Sequence, residues 1–239
     1  MMSIPKNIYQ SWHSHNFHPK IEKIFHKQRS LNPNFKFTLY DDLQIEDFVR
    51  SNFEKNIFNA FTSLKILTAK VDFWRYLILY KYGGIYLDID SKINIDLEKM
   101  IEEHDEAILT AETNEGLFVQ WALFFSKEHP ILEKTIENVT KNIETKRYPN
   151  DIVNTTGPGV FTTSLLEIHN KYQETPLIWK DVGTEYNKTF FVNQNKIQFS
   201  YRIFGVDFNG NLSFKLKNTK HLYNDKPHWK IEEKKIDLF

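Results

Sequence analysis

The stretch Leu67-Thr68-Ala69-Lys70-Val71-Asp72-Phe73-Trp74-Arg75-Tyr76-Leu77-Ile78-Leu79-Tyr80-Lys81-Tyr82-Gly83-Gly84-Ile85-Tyr86-Leu87-Asp88-Ile89-Asp90 changes character twice along its length. Its first part reads as a helix: Thr68 is placed to cap it, and Val71, Trp74, Leu77, Ile78 and Tyr82 fall on one apolar stripe. Gly83-Gly84 then ends the helix, as glycine just past a last turn commonly does. Ile85 to Asp90 is an apolar run that turns acidic, which predicts a strand leading into a site at its C-terminal edge. On such a strand the two-residue period puts Asp88 and Asp90 on one face and Ile89 on the other. Asp72 and Arg75 lie one helical turn apart and share a face of the preceding helix.

Two carboxylates on one face are hard oxygen ligands, suited to Mg²⁺ or Mn²⁺ with positions left open for phosphate oxygens. A metal held there can neutralise the charge that develops on a departing diphosphate. Two exposed acids at a strand end are the plainer alternative, but an acid that closes an Ile-Tyr-Leu strand is costly unless it is partnered. Aspartate-nucleophile phosphatases also place Asp-x-Asp after an apolar strand. They require Gly-Thr or Gly-Val after the pair and a later Gly-Asp-x-x-x-Asp cluster. This chain has Ser91-Lys92 there, and Gly205-Val206-Asp207 lacks the second acid. A metal-dependent phosphohydrolase is therefore an alternative reading, as is a catalytically silent binding protein.

Outward from this block, Ile4 to Trp12 reads as a first strand, and Pro19 opens a helix carrying Ile21, Ile24, Phe25 and Gln28 that ends near Asn32-Pro33. Phe35 to Tyr40 alternates as a second strand, stopped by Asp41-Asp42, and a helix follows from about Gln44 to Asn52. Ala107–Ala111 and Leu117–Phe125 read as strands, Pro130–Asn142 and Gly159–His169 as helices, and Asn187–Phe214 as mixed strand and loop. The charged segment Glu232 to Asp237 reads as a solvated tail. Alternating strands and helices predict an α/β fold with a mostly parallel central sheet flanked by helices. With no repeat, low-complexity tract or linker, one domain over residues 1–239 is expected.

The chain has 31 basic and 31 acidic residues and a formal net charge of +0, which argues against nucleic-acid or membrane-surface binding through bulk electrostatics. It contains no cysteine, so disulfides, thiolate catalysis and Cys-ligated metals are excluded. The N-terminus lacks the pattern of a signal peptide and no apolar run is long enough to span a membrane. As written, a cytoplasmic location is the expectation, although a lumenal domain trimmed of its anchor would read the same way.

The block from Ala69 to Asp90 closely resembles the DXD-containing sugar-transferase family, glycosyltransferase family 32. This family includes fungal initiating α-1,6-mannosyltransferases, bacterial capsular enzymes and large clostridial glucosylating toxins. Other pieces fall in the family's order. Ile4-Pro5-Lys6-Asn7-Ile8-Tyr9-Gln10-Ser11-Trp12 resembles its opening signature with Tyr9 in place of His, and Asn32-Pro33 through Leu39-Tyr40-Asp41-Asp42 is similar to its next segment. Gln120-Trp121 resembles the mannosyltransferase branch, and Thr156-Gly157-Pro158 matches a Thr-Gly-Pro before a helix. The resemblance implies a GT-A, Rossmann-like nucleotide-sugar-binding fold and a retaining hexosyl transfer from GDP-mannose or a UDP-hexose to a hydroxyl of a glycan or other acceptor.

The resemblance also implies roles. Trp12 would stack on the donor's base with Gln10 nearby, and Tyr40 would line the nucleotide pocket. Asp72 and Arg75 would hold the donor sugar's hydroxyls, and Gln120 would face the sugar or acceptor. Asp90 would be the main Mn²⁺ or Mg²⁺ ligand, and Asp88 would contact ribose and metal-bound water or bind the metal directly. His221 would complete the metal sphere, and Trp229 would donate its indole N–H to the diphosphate. His228 stands where the family's closing motif has Ser, leaving open which histidine serves.

Overall fold

The computed structural model describes residues 3–13, 18–91, 96–112, 114, 116–183, 185–205 and 229–239. In chain order they form β1 (Asn7–Ser11), α1 (Pro19–Leu31), β2 (Lys36–Tyr40), α2 (Asp42–Asn52), α3 (Lys55–Ser63), α4 (Leu67–Tyr82), β3 (Gly84–Leu87), α5 (Leu97–Met100), β4 (Ala107–Thr110), β5 (Ala122–Phe125), α6 (Pro130–Glu144), α7 (Ile152–Thr155), α8 (Pro158–Tyr172), β6 (Asn187–Gln194), β7 (Ile197–Phe204) and α9 (Trp229–Glu232).

The strands make one seven-stranded sheet in the order β2-β1-β3-β5-β4-β7-β6. The expected α/β sheet flanked by helices is present, but it is mixed where a mostly parallel one was predicted. β1 pairs in parallel with β2 and β3, and β4 with β7, whereas β5 runs antiparallel to both β3 and β4 and β6 antiparallel to β7. Parallel neighbours need a crossover connection, and neither β4–β5 nor β6–β7 has an intervening helix.

Register shows how the sheet divides the core. Tyr9 faces Tyr86 and Ile8 faces Ile85 across the β1–β3 pair. The tyrosine side belongs to the larger apolar cluster, with Ile45 and Phe48 of α2, Phe61 of α3, residues of α4, and Ile131 and Phe161 from α6 and α8. The isoleucine side packs with Leu87, Ile108, Phe124 and Leu97 of α5. A third, small cluster joins Ile21 and Phe25 of α1 to Ile89, with Trp12 and Leu39 against it.

α4 is the central helix. Every residue from Asp72 to Leu79 is buried, so the predicted one-sided stripe is replaced by a helix enclosed on all sides. It begins at Leu67 with Ile66 in the capping position and no side-chain cap, rather than at a Thr68 cap. Where tertiary packing surrounds the first turn, helix stability comes from burial rather than from a capping oxygen. Gly83 accepts the role expected of it. Its φ is +64°, its N–H donates to Leu79 O at 2.8 Å, and a Cβ there would lie 2.7 Å from Lys127 N. Gly84, at φ +114°, starts β3, and a Cβ there would come within 2.6 Å of Asn7 O.

The strand predicted to reach Asp90 stops at Leu87, because the chain turns at Asp88. The strand predicted over Leu117–Phe125 is regular only from Ala122, preceded by an isolated Ala111–Phe118 bridge. The C-terminal segment is docked as well as solvated. Leu238 is fully buried, its N–H donates to Pro149 O, and its carbonyl accepts from Lys65 N. No helix among the described residues is long and apolar enough to cross a membrane.

Candidate active site

The length of α4 against that of β3 sets the site. Arg75 lies eight residues before Gly83, about 12 Å along a helix, and Asp88 lies four residues after Gly84, about 13 Å along a strand. Reversal at the glycine pair therefore brings them level. Arg75 Nη2 stands 2.8 Å from Asp72 Oδ1 and 3.5 Å from Asp88 Oδ1, and its Nη1 donates to Gln120 O at 3.1 Å. The guanidinium lies over the Tyr86 ring, 4.4 Å from its centroid, and the Tyr86 hydroxyl donates to Asp88 Oδ1 at 2.8 Å. Tyr86 and Asp88 meet because two residues along an extended chain return to the same face.

Burial governs the charges. Burial acts to lower the pKa of Arg75, yet Tyr86, Asp72 and Asp88 together raise it, so the guanidinium is held charged. Burial raises Asp72 to about 6. Arg75, Gln120 and Thr156 oppose that rise, and Asp88 adds to it. A buried charge left alone would be far costlier than this network, because removing one partner strands the other in a medium that solvates it poorly.

The acidic pair occupies a turn and not a strand. Ser91 N–H donates to Asp88 O at 2.9 Å, and Asp88 N–H donates to Trp121 O at 2.9 Å. The shared face expected from a two-residue period therefore does not apply to Asp90. Asp90 is 2% exposed, whereas the Asp88 side chain is 22% exposed. Gln28 of α1, seen in the sequence only as part of a helical pattern, donates its amide to Ser91 O and ties α1 to the exit of this turn. Ile89, pointing into the small cluster with Ile21, Phe25 and Trp12, anchors its middle.

Gln120 is buried, and its Nε2 donates to Tyr76 Oη at 2.8 Å and lies 3.4 Å from Thr156 O. Tyr40 sits in an aromatic group with Tyr9, Phe48 and Trp74, its ring 5.1 Å from that of Trp74, and Trp74 in turn stands edge-on to Tyr86 at 6.0 Å. Trp12 is half-buried beside Ile89, its N–H donating to Tyr40 O at 3.1 Å and its ring 4.7 Å from His13. Gln10 is buried, with neither amide atom hydrogen-bonded among the described residues. Thus Asp72, Arg75, Asp88 and Gln120 form one contact network, Trp12 and Asp90 flank the same turn, and Tyr40 is reached through Trp74. Trp229 opens α9. Its side chain, and His221 and His228 altogether, lie outside the described residues.

The sequence reading missed Tyr76, Tyr86, Gln28 and Thr156 as parts of the site. Only the two-residue spacing of Tyr86 and Asp88 could have signalled one of these contacts. The donor chemistry suits a divalent cation: Asp88 and Asp90 are hard oxygen ligands two residues apart in one turn, and Asp72 adds a further acid behind a single guanidinium. Among the described residues, no group of three or more His, Cys, Asp or Glu is arranged to hold a metal.

The acidic turn lies at the C-terminal end of a central strand of an α/β sheet, where ligands collect in such folds. The family model "Glycosyltransferase sugar-binding region containing DXD motif" matches residues 6–108. The initiation-specific alpha-1,6-mannosyltransferase of Candida albicans is 26% identical over 74% of this chain and 56% of its own length. Inositol phosphoceramide mannosyltransferase 3 of Schizosaccharomyces pombe is 29% identical over 65% of this chain and 43% of its own. The chain thus spans about half the length of these curated relatives. Among solved structures, PaToxG glycosyltransferase shares the fold, with a TM-score of 0.56 over 69% of each chain at 20% identity. Over residues 6–108 the chain is thus similar to the sugar-binding region of DXD-containing glycosyltransferases.

Proposed function

We propose that residues 1–239 form a single GT-A catalytic domain that moves a hexose from a nucleotide sugar to a hydroxyl of a glycan or other acceptor, with retention of anomeric configuration. The observation that carries this reading is the Arg75 guanidinium, held between Asp72 and Asp88 over the Tyr86 ring beside the acidic turn. The names of the mannosyltransferase relatives favour GDP-mannose over a UDP-hexose as the donor.

In this reading Asp72 and Arg75 hold the sugar hydroxyls. Arg75 still has its Nε–H without a partner among the described residues, so a sugar or phosphate oxygen can accept from it. Gln10 and Trp12 take the base and Tyr40 shapes the pocket from behind, while Gln120 holds the sugar side of the site together through Arg75 and Tyr76. Asp90, with Asp88, would hold Mn²⁺ or Mg²⁺, joined by His221, and Trp229 would donate to the diphosphate. The cation would supply positive charge against the departing diphosphate. The low-dielectric surroundings of Arg75 make its fixed charge effective without reorganisation during reaction. The acceptor hydroxyl attacks from the face the diphosphate leaves.

The test is release of nucleotide from a panel of UDP- and GDP-sugars with Mn²⁺ or with EDTA. Mn²⁺-dependent release from one donor is expected, falling by two orders of magnitude or more, about 3 kcal/mol of barrier, in Asp90→Ala. If calorimetry finds no donor that binds, the transferase reading is wrong.

A further inference from the structure

The Thr156-Gly157-Pro158 motif has no part in the proposed transfer, yet Thr156 reaches Asp72 across 84 residues of chain. Thr156 is fully buried, and its Oγ1 stands 3.4 Å from Asp72 Oδ2, the oxygen opposite the one Arg75 binds, and 3.5 Å from Ile152 O, so its one proton is shared between the carboxylate and its own helix. Tyr76, the residue after Arg75, directs its hydroxyl at Thr156 O (3.0 Å) and Gly157 O (3.2 Å), and accepts from Gln120 Nε2. One phenolic proton thus fastens α4 to the α7–α8 corner. That corner has little room to move. A Cβ on Gly157 would meet Val153 Cα at 3.0 Å, and one on Gly159 would meet Val153 O at 2.9 Å. Pro158 fixes the first turn of α8.

We propose that Thr156 and Tyr76 are positioning residues that clamp the Asp72 carboxylate, through the rigid α7–α8 corner, in the orientation that receives the donor's sugar. The inference rests on the assignment of Asp72 and Arg75 to the sugar. A carboxylate gripped on both oxygens keeps one rotamer, so its remaining lone pairs point in fixed directions. Without the Thr156 hydroxyl the carboxylate keeps Arg75 and Gln120 but loses a donor from the α7–α8 corner, and its orientation is less tightly set. The hydroxyl of Thr156 is therefore worth one hydrogen bond to a charged group at long range, about three- to tenfold in affinity, and only for ligands that include the sugar.

The experiment compares affinities for GDP-mannose against GDP, and for UDP-glucose against UDP, by calorimetry in the presence of Mn²⁺. In wild type, whichever sugar donor binds is the reference. Thr156→Val keeps the shape and removes the hydroxyl, and it is expected to weaken the sugar donor three- to tenfold while leaving the bare diphosphate within twofold. Thr156→Ser restores the hydroxyl and is expected to restore the affinity. Tyr76→Phe is expected to give the same selective loss, and it carries the comparison if Thr156→Val fails to fold. Equal weakening of donor and diphosphate, or no weakening of either, overturns the clamp while leaving the transferase reading intact. A wild-type chain that binds GDP or UDP but none of their sugars removes the assignment of Asp72 and Arg75, and the clamp with it.

Discussion

Two buried arginines stand in similar company but at different places in the sheet. Arg75 meets Asp72, Asp88 and the carbonyl of Gln120. Arg202, on β7, meets Asp105, Glu102 and the carbonyl of Met100. Each guanidinium lies close to an aromatic ring, Tyr86 in one case and Phe204 in the other. The acids around Arg202 precede β4, at its N-terminal end, where Glu102 N–H donates to Asp105 Oδ2 and, next to them, Glu106 and the His104 carbonyl bond Ser200 of β7. Of the acids around Arg75, Asp72 lies on α4 and Asp88 opens the turn at the C-terminal end of β3 that also carries Asp90. In α/β sheets, ligands collect outside the carboxyl ends of strands. Composition does not distinguish the two clusters; their positions on the sheet differ, and that of Arg75 is the one where ligands collect in α/β folds.

Paired substitutions test that distinction most strongly. Arg75→Met and Arg202→Met each leave a buried acid without its partner, and each is expected to cost about 3–5 kcal/mol in denaturant unfolding. Nucleotide release per folded molecule should then fall at least a hundredfold, about 3 kcal/mol, in Arg75→Met alone. If Arg202→Met lost activity to the same degree without a matching loss of fold, the comparison would collapse.

A second test uses pH on the structural side. His129, which caps α6 by accepting from Ile131 N and bonds Ser200 O, is lowered by burial to about 3, partly opposed by its bond to Ser200. Its folded-state value lies below its unfolded one, so its contribution is complete above about pH 6.5 and is lost as pH falls from there towards 3. His129→Asn keeps a capping side chain without this titration. The stability gap between wild type and this variant should shrink by about 2 kcal/mol between pH 7 and pH 5, as measured by urea midpoints. Asp72 moves in the opposite sense. Its raised value makes the ionised form costly above about pH 6, a cost that disappears as pH falls towards its unfolded range, so the variant difference, rather than the raw stability curve, isolates the histidine.

The smallest expected effect sharpens the site itself. Tyr86→Phe keeps the ring beneath Arg75 and removes the hydrogen bond to Asp88. Nucleotide release should drop about fivefold, near 1 kcal/mol, with little change in melting temperature. An unchanged rate would mean that the Tyr86 hydroxyl does not orient Asp88.

Much of the scaffold was legible in the sequence. The glycine pair marked the reversal from α4 into β3, Asp41 and Gln44 formed the capping box of α2, and Pro19 and Pro130 opened α1 and α6. α5 and α7 were missed as single turns too short to carry a period, and α3, a nine-residue amphipathic helix, was passed over although its apolar residues do recur at helical spacing. Within the candidate site, Asp88 with Asp90 stood out by local spacing at the end of an apolar run, whereas Asp72 with Arg75 stood out only through the family resemblance. Their shared environment did not, since Gln28 with Ser91 and Tyr76 with Thr156 are contacts across long loops with no trace in local pattern.

The sequence by itself determined the elements whose cause is local: the turn chemistry at Gly83-Gly84, the apolar runs that had to be buried, and the acids placed just beyond one of them. Only the tertiary structure decided that β5 enters antiparallel between β3 and β4, that Asp88 opens a turn, and that a corner near Thr156 grips Asp72. Side-chain periodicity encodes how a segment coils or extends. Which segments then meet depends on how their buried surfaces and unpaired polar groups are satisfied together, and that is a property of the whole packed chain.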